Sequence, residues 1–124
     1  MKHGFDDGEW NRAREEATQI LARRASERGM ITYGELCRGL SAIRIDPHDP
    51  ALWELLGEIS HDEAEAGRGM LSVIVVHKYG EMEPGAGFFE LAGSLGRDVS
   101  DRTTCWVTEL HRVHGYWSEH QAAM

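Results

Sequence analysis

The chain has 124 residues, 41% hydrophobic and 27% charged, with 21 acidic side chains against 13 basic ones for a formal charge of −8. A chain of this length buries roughly two thirds of the surface its unfolded form exposes, so a single domain over 1–124 needs neither disulfide nor metal to hold a core. The acidity argues against a general polyanion binder, and no apolar stretch reaches the ~20 residues of a bilayer span. The start, Met1-Lys2-His3-Gly4-Phe5-Asp6-Asp7, has no signal-peptide core, so a soluble cytoplasmic protein with no membrane association is expected.

The charge is uneven. Residues 1–44 carry eight basic and seven acidic side chains, whereas 45–124 carry five and fourteen. The densest acidic run is Asp46, Asp49, Glu54, Glu58, Asp62, Glu63 and Glu65, with no Lys or Arg between Arg44 and Arg68.

Trp10, Ala13, Ala17, Ile20, Leu21 and Ala25 recur at three- and four-residue spacing, which predicts an amphipathic helix over 8–28. Asp6 or Asp7 caps its start and Gly29 ends it. Thr32 followed by Glu35 reads as a capping box for a short helix from Tyr33 to Leu40. Ser41 to Asp49 reads as a loop. Asp49-Pro50 then opens a third helix with Leu52, Leu55, Leu56 and Ile59 as its stripe, stopped by Gly67 and Gly69.

Leu71-Ser72-Val73-Ile74-Val75-Val76 is short, β-branched and scarcely alternating, so it reads as a strand covered on both faces. Tyr79 to Gly87 is dense in turn formers, and Phe88-Phe89 reopens an apolar segment. We read 72–90 as a strand and its return, with Phe89–Leu95 also compatible with a helix. Ser100 or Asp101 caps a last helix bearing Trp106, Leu110, Val113 and Trp117. The resulting fold class is α+β, mainly helical: a winged-helix-like domain with a short β-hairpin and an extra C-terminal helix.

Two stretches carry a resemblance. Ile31-Thr32-Tyr33-Gly34-Glu35-Leu36 resembles the Thr-Tyr-Gly segment in the C-terminal domain of O6-alkylguanine-DNA alkyltransferases and alkyltransferase-like proteins, and Leu71–Tyr79 falls where that family places its strand and Pro-Cys-His-Arg motif. The parallel covers about half the chain and implies the winged-helix topology. If the family's His matches His77, its Arg becomes Lys78, its Pro becomes Val75, and the alkyl-accepting cysteine becomes Val76, which cannot accept an alkyl group. Gly85, Gly87 and Phe88 correspond approximately to the glycines and aromatic that follow. Taking Gly57 as the recognition-helix glycine puts Glu54 in place of the intercalating arginine, where phosphates would repel it. The chain is also similar to small uncharacterised bacterial proteins that share Ile-Thr-Tyr-Gly-Glu-Leu, Leu-Leu-Gly-Glu-Ile and Pro-Gly-x-Gly-Phe-Phe segments, a likeness that implies no activity.

Few constellations bear chemistry. His111 and His114 share a helical face and are the metal candidates, but no Cys pair or second His pair completes a ligand set. His61, Asp62, Glu63 and Glu65 read as a solvated charge run. His77 ends the central strand, where a side chain can face a cleft, and is the single catalytic candidate. The 84–88 turn lacks the lysine of a phosphate loop. Cys37 and Cys105 read as buried thiols without an activating setting. Trp10, Trp106 and Trp117 fit the apolar stripes, whereas Trp53 stands at the edge of its stripe among acids, where a large aromatic marks a protein contact.

Three functions follow. The leading one is a non-enzymatic interaction or regulatory module without cofactor, whose acidic third helix binds a protein partner or a second copy through Trp53, Glu54, Glu58, Asp62 and Phe88. An alternative is DNA binding through Arg12, Arg23, Arg24, Tyr33, Arg38 and Arg44, disfavoured by the acids mixed among them. The third is a small enzyme with a site near His77.

Overall fold

The structure is a computed structural model and describes residues 2–77 and 86–120. The described residues are mainly helical, with five helices and one small two-stranded parallel sheet, an α+β arrangement.

Helix α1 spans Asp7–Ser26. Its capping box is built by Asp6, whose side chain accepts from the Glu9 N–H, while the Glu9 carboxylate accepts from the Asp6 N–H. At the far end the sequence assigned the stop to Gly29, but Arg28 takes the left-handed conformation (φ 56°), and the Gly29 N–H closes back onto the Arg24 carbonyl. The Gly29 carbonyl is itself held by His114 Nε2 at 3.0 Å, so a tertiary contact keeps a non-glycine residue in that region.

Strand β1 is Ile31–Thr32, and helix α2 follows over Tyr33–Gly39 with the Thr32/Glu35 capping box in place. The loop after it is packed down rather than free. Its Ser41 and Ala42 N–H groups donate to the Glu16 carboxylate on α1, and Ile43 and Ile45 are buried. Helix α3 spans Pro50–Glu65, with Asp49 accepting from the Ala51 N–H and Pro50 at the first turn.

The segment Met70–Val76 is buried throughout, in keeping with its unbroken apolar run. Most of it is not a strand: Leu71–Ile74 coils into a 3₁₀ turn, and only Val75–Val76 forms β2. The reason lies in its donors. The Met70 N–H goes to the Glu109 carboxylate at 2.7 Å and the Ser72 N–H to Ser60 Oγ at 2.9 Å, so both are taken by side chains instead of a neighbouring strand. Gly69 just before it adopts φ +91°, and a Cβ there would lie 2.9 Å from Val113 Cγ2, so glycine is required where the chain dives inside.

Among the described residues the sheet is the parallel pair β1–β2, Ile31 opposite Val75 and Thr32 opposite Val76, and not a hairpin. A parallel pair needs a crossover, which α2, the packed loop and α3 provide. Of the glycine-rich turn, 78–85 lies outside the described residues. The return strand at Phe88-Phe89 is replaced by helix α4, Ala86–Ser94. Both phenylalanines are buried there, edge to face at 5.2 Å, so neither is an exposed anchor. Adjacent positions on a helix stand ~100° apart and can share one broad buried stripe, whereas a strand would turn one outward.

Helix α5, Arg102–Glu119, is capped by Asp101 and packs across α1 and the 3₁₀ turn. It buries Cys105, Glu109, Val113 and His114, while Trp106, Leu110 and Trp117 pack half-buried against the core.

Candidate functional site

The acidic run acquires a partner once the chain folds. Glu54, Glu58 and Asp62 recur every fourth residue on α3 and face the N-terminal cations. Lys2 Nζ lies 2.5 Å from Glu58 and 3.8 Å from Glu54, and His3 lies 3.5 Å from Glu54. Arg14 on α1 bridges Glu58 at 3.0 Å and Asp62 at 3.1 Å. Trp10 Nε1 also donates to Glu58, and both Lys2 and His3 cover the Trp10 ring. Partial burial pushes the Glu58 carboxyl up, but the hydrogen bonds from Lys2, Trp10 and Arg14 outweigh it and hold the group below its ordinary value. The stripe that looked like a free acidic face therefore joins α3 to the N-terminal segment and α1.

Trp53 has a different fate. One position along α3 from Glu54, it is the exposed large hydrophobic residue of the described chain, 46% accessible. Its indole lies on the backbone of Gly87 at the start of α4. A Cβ built on Gly87 would stand 1.7 Å from Trp53 Cζ3 and 2.3 Å from Cε3, so only glycine admits the ring there. Beside this contact runs an open groove of about 370 Å³ between α3, α4 and the start of α2. Its apolar walls are Trp53, Leu56, Phe88 and Leu91, with Tyr33 at one side. Ser72 and Ser94 contribute polar groups, and Glu90 is the charged residue among the described lining residues. Phe88 thus reaches the groove from the core, as a wall and not as a protruding side chain. The Tyr33 ring contacts the exposed His77 ring at 5.0 Å, which sets His77 beside the groove.

The remaining candidates are dispersed. Arg12, Arg23, Arg38 and Arg44 are exposed. Arg38 and Arg44 line an open cavity of about 670 Å³ shared with Glu9 and Asp46, so charges of both signs meet there. Arg24 is engaged by the Met30 carbonyl at 2.6 Å and by Glu35 at 3.7 Å. The two metal candidates are separated: His111 is exposed, while His114 is buried and spends Nε2 on the Gly29 carbonyl. His61 pairs with Asp62 and Glu65 at the surface. Among the described residues no group of three or more His, Cys, Asp or Glu side chains is placed to hold a metal. Both cysteines are free thiols, and burial foremost pushes Cys37 up to about 11, with Asp46 and Asp49 adding to it.

Sequence reasoning missed Gly87 as the seat of Trp53 and Glu90 as the groove's charge. The Gly-x-Gly-Phe-Phe pattern reads as glycines serving a positive-φ backbone, but Gly87 has no positive φ and is required by the close approach of Trp53. It also missed Glu109, almost wholly buried, whose carboxylate accepts from Met70 N–H, from both Arg97 Nε and Nη2 at 3.1 Å, and from Arg112 at 2.7 Å. Its position in the stripe 105–109–113 was the available signal.

No family model, curated protein or solved structure matches the chain. Among the described residues no helix is long and apolar enough to cross a membrane.

Proposed function

We propose that the chain is a non-enzymatic interaction module of winged-helix-like arrangement, in which α1, α2 and α3 form the helical unit. The partner is a protein, bound at the Trp53 groove. One observation carries this reading: a tryptophan left nearly half exposed, yet held in a fixed position on Gly87 at the rim of an apolar groove. Tryptophan is among the residues most enriched at the energetic centres of protein interfaces, and binding pockets are lined mainly by apolar and aromatic side chains. The internal pairing of Glu54, Glu58 and Asp62 supports assigning contact to the groove in preference to the acidic stripe.

The test is selection of displayed random peptides against the folded chain, followed by titration of the winners. Peptides that bind wild type and weaken by roughly thirty-fold or more with Trp53→Ala, at unchanged helical circular dichroism, support the reading. No selectable binder, or binders indifferent to Trp53, overturns it.

A further inference from the structure

We infer that the segment accepted by the groove carries an arginine next to its apolar anchor, and that Glu90 is the residue that reads it. This rests on the groove reading above and adds the chemistry of the occupant.

Glu54, Glu58 and Asp62 are all engaged by Lys2, His3 or Arg14, and Glu63 and Glu109 by arginines. Glu90 differs. It lies on α4, is exposed, and has no hydrogen-bond or ion-pair partner among the described residues, although it lines the same groove as Trp53. Among the described residues that line the groove there is no lysine or arginine. The described lining therefore offers apolar walls with the Glu90 carboxylate beside them, and a ligand complementary to it is apolar with one positive charge.

Arginine fits better than lysine for two reasons. Its planar guanidinium takes a carboxylate through two parallel hydrogen bonds, and it is weakly enough hydrated to lie on an aromatic face. The groove presents both features, the Glu90 carboxylate and the exposed indole of Trp53. An apolar side chain next to the arginine would then enter between Leu56, Phe88 and Leu91. An acidic ligand would meet the Glu90 carboxylate directly, which sets the sign of the discrimination.

Charge exchange tests this. Random displayed peptides are selected in parallel on wild type and on Glu90→Lys, and the winners are titrated by fluorescence anisotropy against wild type, Glu90→Gln, Glu90→Lys and Trp53→Ala. The expected result is arginine beside an apolar residue in the wild-type winners and Asp or Glu in the Glu90→Lys winners. Wild-type winners should weaken about ten-fold on Glu90→Gln and further on Glu90→Lys, and binding to Glu90→Lys should return when the peptide's arginine is replaced by glutamate. Winners that lack basic residues, or that bind Glu90→Lys as well as wild type while losing affinity for Trp53→Ala, overturn this inference and leave the groove standing. Winners unaffected by Trp53→Ala overturn both. Because Glu90 is exposed and helical, its variants are expected to fold, and circular dichroism checks that they do.

Discussion

Replacing Gly87 by alanine places a methyl group inside the indole of Trp53, at 1.7 Å from Cζ3, 2.3 Å from Cε3 and 2.9 Å from Cη2. The nearest atoms belong to a rigid ring on α3 and not to the end of a flexible chain, so the ring must leave its seat. Trp53 is 46% accessible, and the rest of its surface is buried. If about 100 Å² of apolar surface returns to water, the loss is at most ~2.5 kcal/mol. Alanine in place of glycine in a helix recovers up to ~1 kcal/mol, less in the first turn. The net destabilisation is then about 1.5 kcal/mol, a fall in Tm of roughly 5 °C for a chain this long. Urea unfolding followed by circular dichroism measures it. The decisive comparison is the double-mutant cycle with Trp53→Ala. Once the indole is gone, Gly87→Ala should become neutral or mildly stabilising, with a coupling of more than 1 kcal/mol. Additive effects, or a Gly87→Ala protein as stable as wild type, would refute the placement of Trp53 on Gly87 and with it the shape of the groove.

Three further outcomes follow from other parts of the molecule. Glu109→Ala should cost about 3 kcal/mol, because it leaves the buried Met70 N–H without an acceptor and releases Arg97 and Arg112, whereas Glu109→Gln should cost about half as much; chemical denaturation separates the two. The Glu58 carboxyl titrates below its ordinary value in the folded chain, so its contribution to stability is present above the unfolded pKa and is lost as the pH falls through the folded one. The stability difference between wild type and Glu58→Gln should accordingly be largest near neutral pH and shrink between about pH 5 and pH 3, and a difference that grows on acidification would contradict the ion-pair network. With its thiol pushed up to about 11, Cys37 should react slowly with a thiol reagent at pH 7.5 in the native protein and rapidly after denaturation, and fast native labelling of this residue would show that the loop over it is open.

The parts of the fold legible in the sequence are those governed by neighbours in the chain. Thr32 and Asp49 cap their helices as the side-chain chemistry places them, and Asp6 and Asp101 are each one of the two adjacent caps the sequence offered, since a cap and the N–H it satisfies lie within three residues of one another. The apolar stripes of α1, α3 and α5 follow from the same local periodicity, as does the edge position of Trp53 that leaves it exposed. Where the outcome depended on a distant acceptor, the reading changed. Met70–Val76 has a strand's composition but donates to Glu109 and Ser60, which no local pattern connects to it, and so it coils for most of its length. Phe88 and Phe89 point to a strand return only until α4 gives both of them the core.

The charge shows the same division. Composition by itself determined that the negative charge is concentrated after residue 45, with a near-neutral segment before it. Only the tertiary structure decided that Lys2, His3 and Arg14 of that first segment lie across Glu54, Glu58 and Asp62, converting an apparent binding face into an internal seam. It also decided that, among the described residues, the Glu90 carboxylate lines the same groove as a tryptophan seated on glycine. The physical reason is range: a helix cap is satisfied within a single turn, whereas a salt bridge or an aromatic seat requires two segments to be brought together by the burial of everything between them.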